Sequence, residues 1–110
     1  MIEYIEEHYK EDITLQTAAD YVHMNHIYIS RMFKRETGET FLDYLTKFRL
    51  KRACVLLMKN EYKIYEIALE VGITDSGYFS QVFRKYYGMT PSEYRNRLFS
   101  GEIQTYGAGI

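Results

Sequence analysis

FLDYLTKFRLKRACVLLM, residues 41–58, decides how this chain is organised, because the segments before and after it read as two copies of one unit. Apolar residues at Phe41, Tyr44, Leu45, Phe48, Val55, Leu56 and Met58 recur at helical spacing, in a stripe broad enough to face two neighbours, and Gly and Pro are absent throughout. The stretch predicts a single joining helix, about 27 Å long at roughly 1.5 Å per residue.

On its N-terminal side, Ile2, Ile5 and Tyr9 share one face of a first predicted helix, with Glu3, Glu6 and Glu7 on the other. Lys10–Thr14 breaks the pattern. Thr14 is placed to cap a second helix whose apolar positions Leu15, Ala18, Ala19 and Val22 follow i, i+3, i+4, i+7, and the adjacent alanines predict a close helix crossing. His23-Met24-Asn25 reads as a turn in which Met24 plugs the corner and Asn25 caps a third helix, His26–Glu36, stopped before Gly38. Helix, short turn, helix is the arrangement whose second helix can enter the major groove of DNA. That third helix separates into an inner set, Ile29, Met32 and Phe33, and an outer set, Ile27, Ser30, Arg31 and Lys34.

Amphipathicity alone would describe any surface helix, so repetition decides. Shifted by fifty residues, Ser30 falls on Ser80, Phe33 on Phe83, Gly38 on Gly88, Thr40 on Thr90 and Tyr44 on Tyr94, with Lys34-Arg35 on Arg84-Lys85. Upstream the shift is forty-nine, placing Ala19 on Ala68, His23 on Gly72 and Met24 on Ile73, so the second turn is one residue longer. Ile64, Ile67, Ala68 and Val71 line the first helix of the second copy; Phe79, Val82, Phe83 and Tyr86 line its second, Ser76–Tyr86. Gly77, Ser80, Gln81 and Arg84 face outward there. Thr90-Pro91-Ser92-Glu93 is a helix-start signal for a closing helix to about Leu98. The last stretch, 100–110, holds three glycines without periodicity and reads as a frayed tail. The fold class is all-α, two helix-turn-helix lobes joined by a long central helix, about seven helices in all. Its predicted segments are 1–40, 41–58, 59–99 and 100–110.

With 46% apolar and 26% charged residues, the composition is that of a soluble domain, and no apolar run reaches the length of a membrane span. No signal peptide is visible, and the lone Cys54 lies in an apolar run, which points to a packed thiol in a reducing, cytoplasmic compartment. The net charge of −1 speaks against a polyanion partner until its distribution is read. Residues 1–30 hold one Lys against six acids, 31–63 hold nine Lys and Arg against four acids, and 64–110 hold four against five. Such a lopsided field can still steer its positive side onto phosphates. His8, His23 and His26 lack a cysteine or acidic pair to complete a metal site, and no cofactor motif is present. Glu66, Glu70 and Asp75 are scattered without a nucleophile–base spacing or a phosphate-cradling glycine loop, which leaves no enzyme chemistry to assign. A rival reading is a protein-interaction module in which exposed Tyr28, Tyr65 and Tyr87 dock on RNA polymerase or a sister domain.

The run Gly77-Tyr78-Phe79-Ser80-Gln81-Val82-Phe83-Arg84-Lys85-Tyr86-Tyr87-Gly88-Met89-Thr90-Pro91-Ser92-Glu93-Tyr94-Arg95 closely resembles the signature of AraC/XylS-type bacterial transcription regulators. Ile67-Ala68 through Gly72-Ile73 and Phe41 to Ala53 with Leu56-Leu57 fit the same pattern, so the resemblance covers about residues 1–98. It implies a seven-helix DNA-binding module whose two recognition helices enter successive major grooves of double-stranded DNA. It also implies a separate sensory or receiver domain, missing from this chain, and RNA polymerase as a partner. The chain then reads as a C-terminal fragment or as a full protein of unusually minimal design, with Met1 just before the first helix favouring the fragment, and the acidic opening is reminiscent of response-regulator members. Carried over by position, the base-reading residues are Ile27, Ser30 and Arg31 in the first lobe and Ser76, Gly77, Tyr78, Ser80 and Gln81 in the second. Gly77 leaves one reading position without a side chain. Phosphate contacts fall to Lys34, Arg35, Arg84 and Lys85 and to the cap residues Asn25 and Thr90.

Overall fold

The structure, a computed structural model, describes residues 1–101. Among them are seven helices and no strand: α1 (Ile2–His8), α2 (Leu15–Tyr21), α3 (His26–Thr37), α4 (Phe41–Leu57), α5 (Ile64–Glu70), α6 (Ser76–Tyr87) and α7 (Pro91–Ser100). The chain divides into two compact units, Met1–Phe48 and a second from Arg49 onward, with the boundary inside α4.

In the first unit, α1 buries Tyr4 and Ile5, while Ile2 is exposed and Tyr9 packs at the margin of the core. Tyr4 takes the inner place expected of Ile2 because its ring meets those of His8 and Tyr21, each at 4.8 Å, and its hydroxyl lies 3.3 Å from Thr17 Oγ1. Thr14 caps α2 as its sequence predicts: its Oγ1 accepts from Thr17 N–H at 3.1 Å, and its own N–H donates to Thr17 Oγ1 at 2.8 Å. Ala18 and Ala19 expose no surface, which lets α2 and α3 approach closely. His23 then adopts φ 58°, and Met24 N–H reaches back to Ala19 O at 3.0 Å. Across the core from α3, Phe33 meets Phe41 and Tyr44 edge-on, at 5.7 and 5.4 Å. Gly38, at φ 80°, stops α3 by donating to Lys34 O.

The second unit repeats these devices. Gly72 has φ 89°, Ile73 N–H donates to Ala68 O at 2.8 Å, and Gly88 at φ 76° stops α6 by donating to Arg84 O. Phe83 meets Tyr94 edge-on at 5.4 Å, the counterpart of the Phe33–Tyr44 pair. The second turn is one residue longer, as the two shifts require: α2 and α3 are separated by 22–25, α5 and α6 by 71–75. The plug at the corner differs. Ile73 is 6% exposed and fills it, whereas Met24 is 42% exposed and does not.

Two further expectations are corrected. Within α4 the buried residues are Phe41 and Leu45 in the first unit and Leu50, Ala53, Cys54 and Leu57 in the second, while Val55 and Met58 are exposed. Each unit draws its own buried residues from the helix, and the expected set of apolar positions is wrong at Val55 and Met58 and omits Leu50, Ala53, Cys54 and Leu57. And α7 runs to Ser100, two residues beyond the expected stop, because Gly101 at φ 81° closes it with bonds to Arg97 O and Leu98 O. The rest of the predicted tail lies outside the described residues.

The second unit also holds a clamp. Arg95 of α7 donates through Nε to Leu57 O at 3.2 Å, through one terminal nitrogen to Tyr62 O at 2.6 Å and through the other to Lys59 O at 3.1 Å. One guanidinium thereby satisfies carbonyls that the end of α4 leaves open and fixes the loop into α5. Nearby, the Tyr87 and Tyr94 hydroxyls are buried beside the Cys54 thiol. Burial pushes the thiol and both phenols up, so all three stay protonated at neutral pH and Cys54 behaves as a packed side chain. At the start of α7, Thr90 Oγ1 accepts from Glu93 N–H at 3.2 Å and Thr90 N–H donates to Glu93 Oε1 at 3.0 Å. The bond from Thr90 N–H holds the Glu93 carboxyl below its ordinary value, with smaller help from Arg84 and Arg97.

Replacing Arg95 by Ala should lower the unfolding free energy by about 2–3 kcal/mol in urea titrations, since charged hydrogen bonds to otherwise open carbonyls are lost. Lys at that position should recover a minor part only, because an ammonium lacks the planar fork that spans the three acceptors. Glu93 makes a pH-dependent contribution. Its folded pKa lies below the ordinary 4.5, so its stabilisation is full above that value and is lost as pH falls through the folded one. Glu93→Gln keeps the hydrogen bond without the charge; melting curves at pH 6 and pH 3 should show any advantage of the native residue shrinking at the lower pH.

Candidate nucleic-acid interface

Helices α3 and α6 are both anchored by buried side chains on one face, which frees the other. Ile29 and Phe33 hold α3, and Phe79 and Phe83 hold α6; all four are buried. Opposite them, Ile27, Ser30, Arg31, Lys34 and Arg35 of α3 are exposed. On α6, Ser76, Gly77, Tyr78, Gln81, Arg84 and Lys85 are exposed and Ser80 is half-buried. Within each unit, therefore, the structure gathers the sequence-derived base-reading residues on one helical edge. Tyr28, absent from that set, is 51% exposed and occupies the position that Tyr78, 53% exposed, holds in the second copy. The fifty-residue shift carried the signal.

The N-termini of the two helices share geometry and differ in charge. Asn25 Oδ1 accepts from Ile27 N–H at 2.8 Å and Tyr28 N–H at 3.3 Å, leaving its amide hydrogens as donors. Asp75 Oδ1 accepts from Gly77 N–H at 2.9 Å and Tyr78 N–H at 3.1 Å, leaving a carboxylate oxygen as acceptor. Thr90 already spends its Oγ1 lone pair and its N–H on Glu93, so its hydroxyl hydrogen is what it can offer a phosphate. Lys34, Arg35, Arg84 and Lys85 sit in the last turns of their helices, where a cation also suits the helix dipole.

The other candidates fare differently. His23 and His26 are exposed at the corner, and His8 Nδ1 lies 2.7 Å from Glu11 Oε2, outside any shared cluster. Tyr28 and Tyr65 are exposed, but Tyr87 is not the docking residue expected of it. Its ring stacks on Phe83 at 4.5 Å and its hydroxyl is buried. Among the described residues, no helix is long and apolar enough to cross a membrane.

Comparison with known proteins accords with this geometry. A family model described as a helix-turn-helix domain matches residues 18–97. The chain is 43% identical over 89 residues to the uncharacterized transcriptional regulatory protein YesN of Bacillus subtilis, covering 78% of this chain and 24% of YesN. It is 36% identical over 98 residues to the regulatory protein SoxS of Salmonella typhimurium, covering 89% of this chain and 92% of SoxS. The chain thus spans about a quarter of one relative and nearly all of the other. Among solved structures, the DNA-binding domain of the global transcriptional factor AdpA, in complex with a target DNA, superposes with a TM-score of 0.86 at 26% identity, covering 91% of this chain and 90% of that one. The chain belongs to the helix-turn-helix family of AraC/XylS-type regulators, proteins that bind DNA sequence-specifically and regulate transcription.

Proposed function

We propose that this chain reads double-stranded DNA with the exposed edges of α3 and α6, each placed in a major groove. The observation that supports this is the pair of outward sets, alike in position under the fifty-residue shift and alike in their capped N-termini. Arg31 can clasp guanine O6 and N7, Gln81 can pair with adenine N6 and N7, the serines at 30, 76 and 80 serve either base, and Ile27 can cover a thymine methyl. Tyr78, with Tyr28 beside Ile27 in the first copy, offers an apolar ring and a hydroxyl at the same edge. Lys34, Arg35, Arg84, Lys85, Asn25 and Thr90 fix register on phosphates without reading sequence. Because the two edges carry different side chains, the target is asymmetric.

The family setting supports a cytoplasmic regulator that acts on RNA polymerase. The 43% identity to YesN, of which the chain spans 24%, supports a sensory or receiver domain as its working partner. Selection of bound fragments from random DNA, followed by gel shifts across a salt series, tests the reading. An enriched asymmetric motif and a steep salt dependence are expected; absence of binding at low salt would leave protein docking in its place.

Two substitutions separate base from backbone contacts. Arg31→Ala should cost about 1–3 kcal/mol on the selected motif and relax preference at one base pair; a uniform loss on every sequence would make Arg31 a phosphate contact. Lys34→Ala should weaken binding to all sequences alike and reduce the salt slope by about 1 unit, measured by fluorescence titration.

A further inference from the structure

His23 and His26 flank the first corner, both exposed, and neither has a part in the DNA-reading function proposed above. His23 holds a left-handed backbone at φ 58°, a conformation for which the second copy uses Gly72. Glycine enters that region freely and an imidazole-bearing residue does not, so a side chain is kept at 23 against the preference of its backbone. Neither imidazole has a hydrogen bond, ion pair or ring contact among the described residues, unlike His8, whose Nδ1 lies 2.7 Å from Glu11 Oε2 and whose ring meets that of Tyr4. The corner joins α2 to α3. On α2 the carboxylate nearest along the chain, Asp20, accepts from Gln16 Nε2 at 2.9 Å, and Tyr21 is a phenol; on α3 the titratable and charged groups are Tyr28, Arg31, Lys34, Arg35 and Glu36, all exposed. Between Asp20 and Arg31, His23 and His26 are the only side chains that can become cationic.

We propose that His23 and His26 are a proton-dependent phosphate-binding pair, contacting the DNA backbone in their imidazolium form. The proposal rests on the DNA-reading function above. Imidazole changes its charge between about pH 5 and 8. A protonated ring donates from both nitrogens, and the positive end of the α3 dipole favours an anion at the same corner. A neutral ring neutralises no phosphate. Since the charged form binds, affinity is greatest at low pH and declines as pH rises through the histidine range. With 14 Lys and Arg against 15 acids, two added protons carry the net charge from −1 to +1, so the field that a polyanion meets changes sign. The device belongs to one copy alone: Gly72 and Ser76 stand at the matching places of the second.

The test measures how DNA affinity depends on salt at pH 6 and at pH 8, on a motif selected from random DNA by the native chain. It compares the native chain with His23→Gly, His26→Gln and the double variant. Each neutralised phosphate adds about 0.9 to the logarithmic salt slope, so the native slope should be steeper by about 1–2 units at pH 6. Each single variant should lose roughly half of that difference and the double variant all of it. His23→Gly should also melt at a higher temperature than the native chain while binding more weakly at pH 6, a split that a merely structural residue would not give. Equal native slopes at the two pH values, or a difference that survives in the double variant, would overturn the proposal while leaving the DNA-reading function intact. Failure of the native chain to select any motif would overturn both. Should the double variant lose its helical circular dichroism, the two single variants decide, through loss or retention of their halves.

Discussion

One backbone hydrogen bond in each unit sets the direction of the helix that follows it. Met24 N–H to Ala19 O and Ile73 N–H to Ala68 O, at 3.0 and 2.8 Å, fold the chain back across the corner. The residue just before each donor must turn left-handed to permit it, and His23 and Gly72 do so at φ 58° and 89°. Glycine enters that region freely, whereas a side chain costs roughly 1–2 kcal/mol there. The first corner therefore carries strain that the second avoids, and it also lacks the buried plug that Ile73 supplies. The acceptors are alanines without exposed surface, so the two helices of each pair can meet closely enough for the bond to form.

From that corner the rest of the reading surface follows. A helix whose entry is fixed by a turn and whose inner face is locked by buried aromatics has one rotation available to it. Phe33 against Tyr44 and Phe83 against Tyr94 settle that rotation in both units with centroids 5.4 Å apart. Edge-to-face aromatic pairs contribute about 0.5–1.5 kcal/mol beyond the area they bury, and they also fix an angle. The outward side chains need no contacts of their own to be presented in register. Outward, Ile27 and Arg31 give way to Gly77 and Gln81 between the copies while Phe33 returns as Phe83 inside, so the edge can change without disturbing the anchor that presents it.

How much of this the amino-acid sequence discloses depends on whether the cause is local. Thr14, Asn25 and Thr90 as caps, Gly38 and Gly88 as stops, and the longer second turn follow from short-range rules and stand as expected. What stays hidden depends on distant partners. Tyr4 displaces Ile2 from the core because Tyr21 and His8 receive its ring; Leu50, Ala53 and Leu57 are buried where the spacing pointed to Val55 and Met58; Tyr87 is withdrawn from solvent by stacking on Phe83. Periodicity cannot supply those neighbours. At the reading edge, residue type and spacing indicated which side chains face out, but Tyr28 emerged only when its twin Tyr78 was compared with it.

Two reading helices are also an energetic requirement. Specific recognition exceeds non-specific binding by about 4–10 kcal/mol, and a good bidentate side-chain–base pair supplies about 1–3 kcal/mol of it. On the reading proposed above, the α3 edge would supply one such pair, from Arg31, with weaker contributions from Ser30 and Ile27, and α6 one, from Gln81. Neither edge alone reaches the middle of that range. The cations available to phosphates are unevenly spread, with the excess of Lys and Arg confined to residues 31–63. Duplication doubles both contributions, adding a second set of proposed readers and a second pair of cations in the last turn of α6. Divergence of the copied edges then lets one short chain demand an asymmetric target, which identical copies on a repeated scaffold could not.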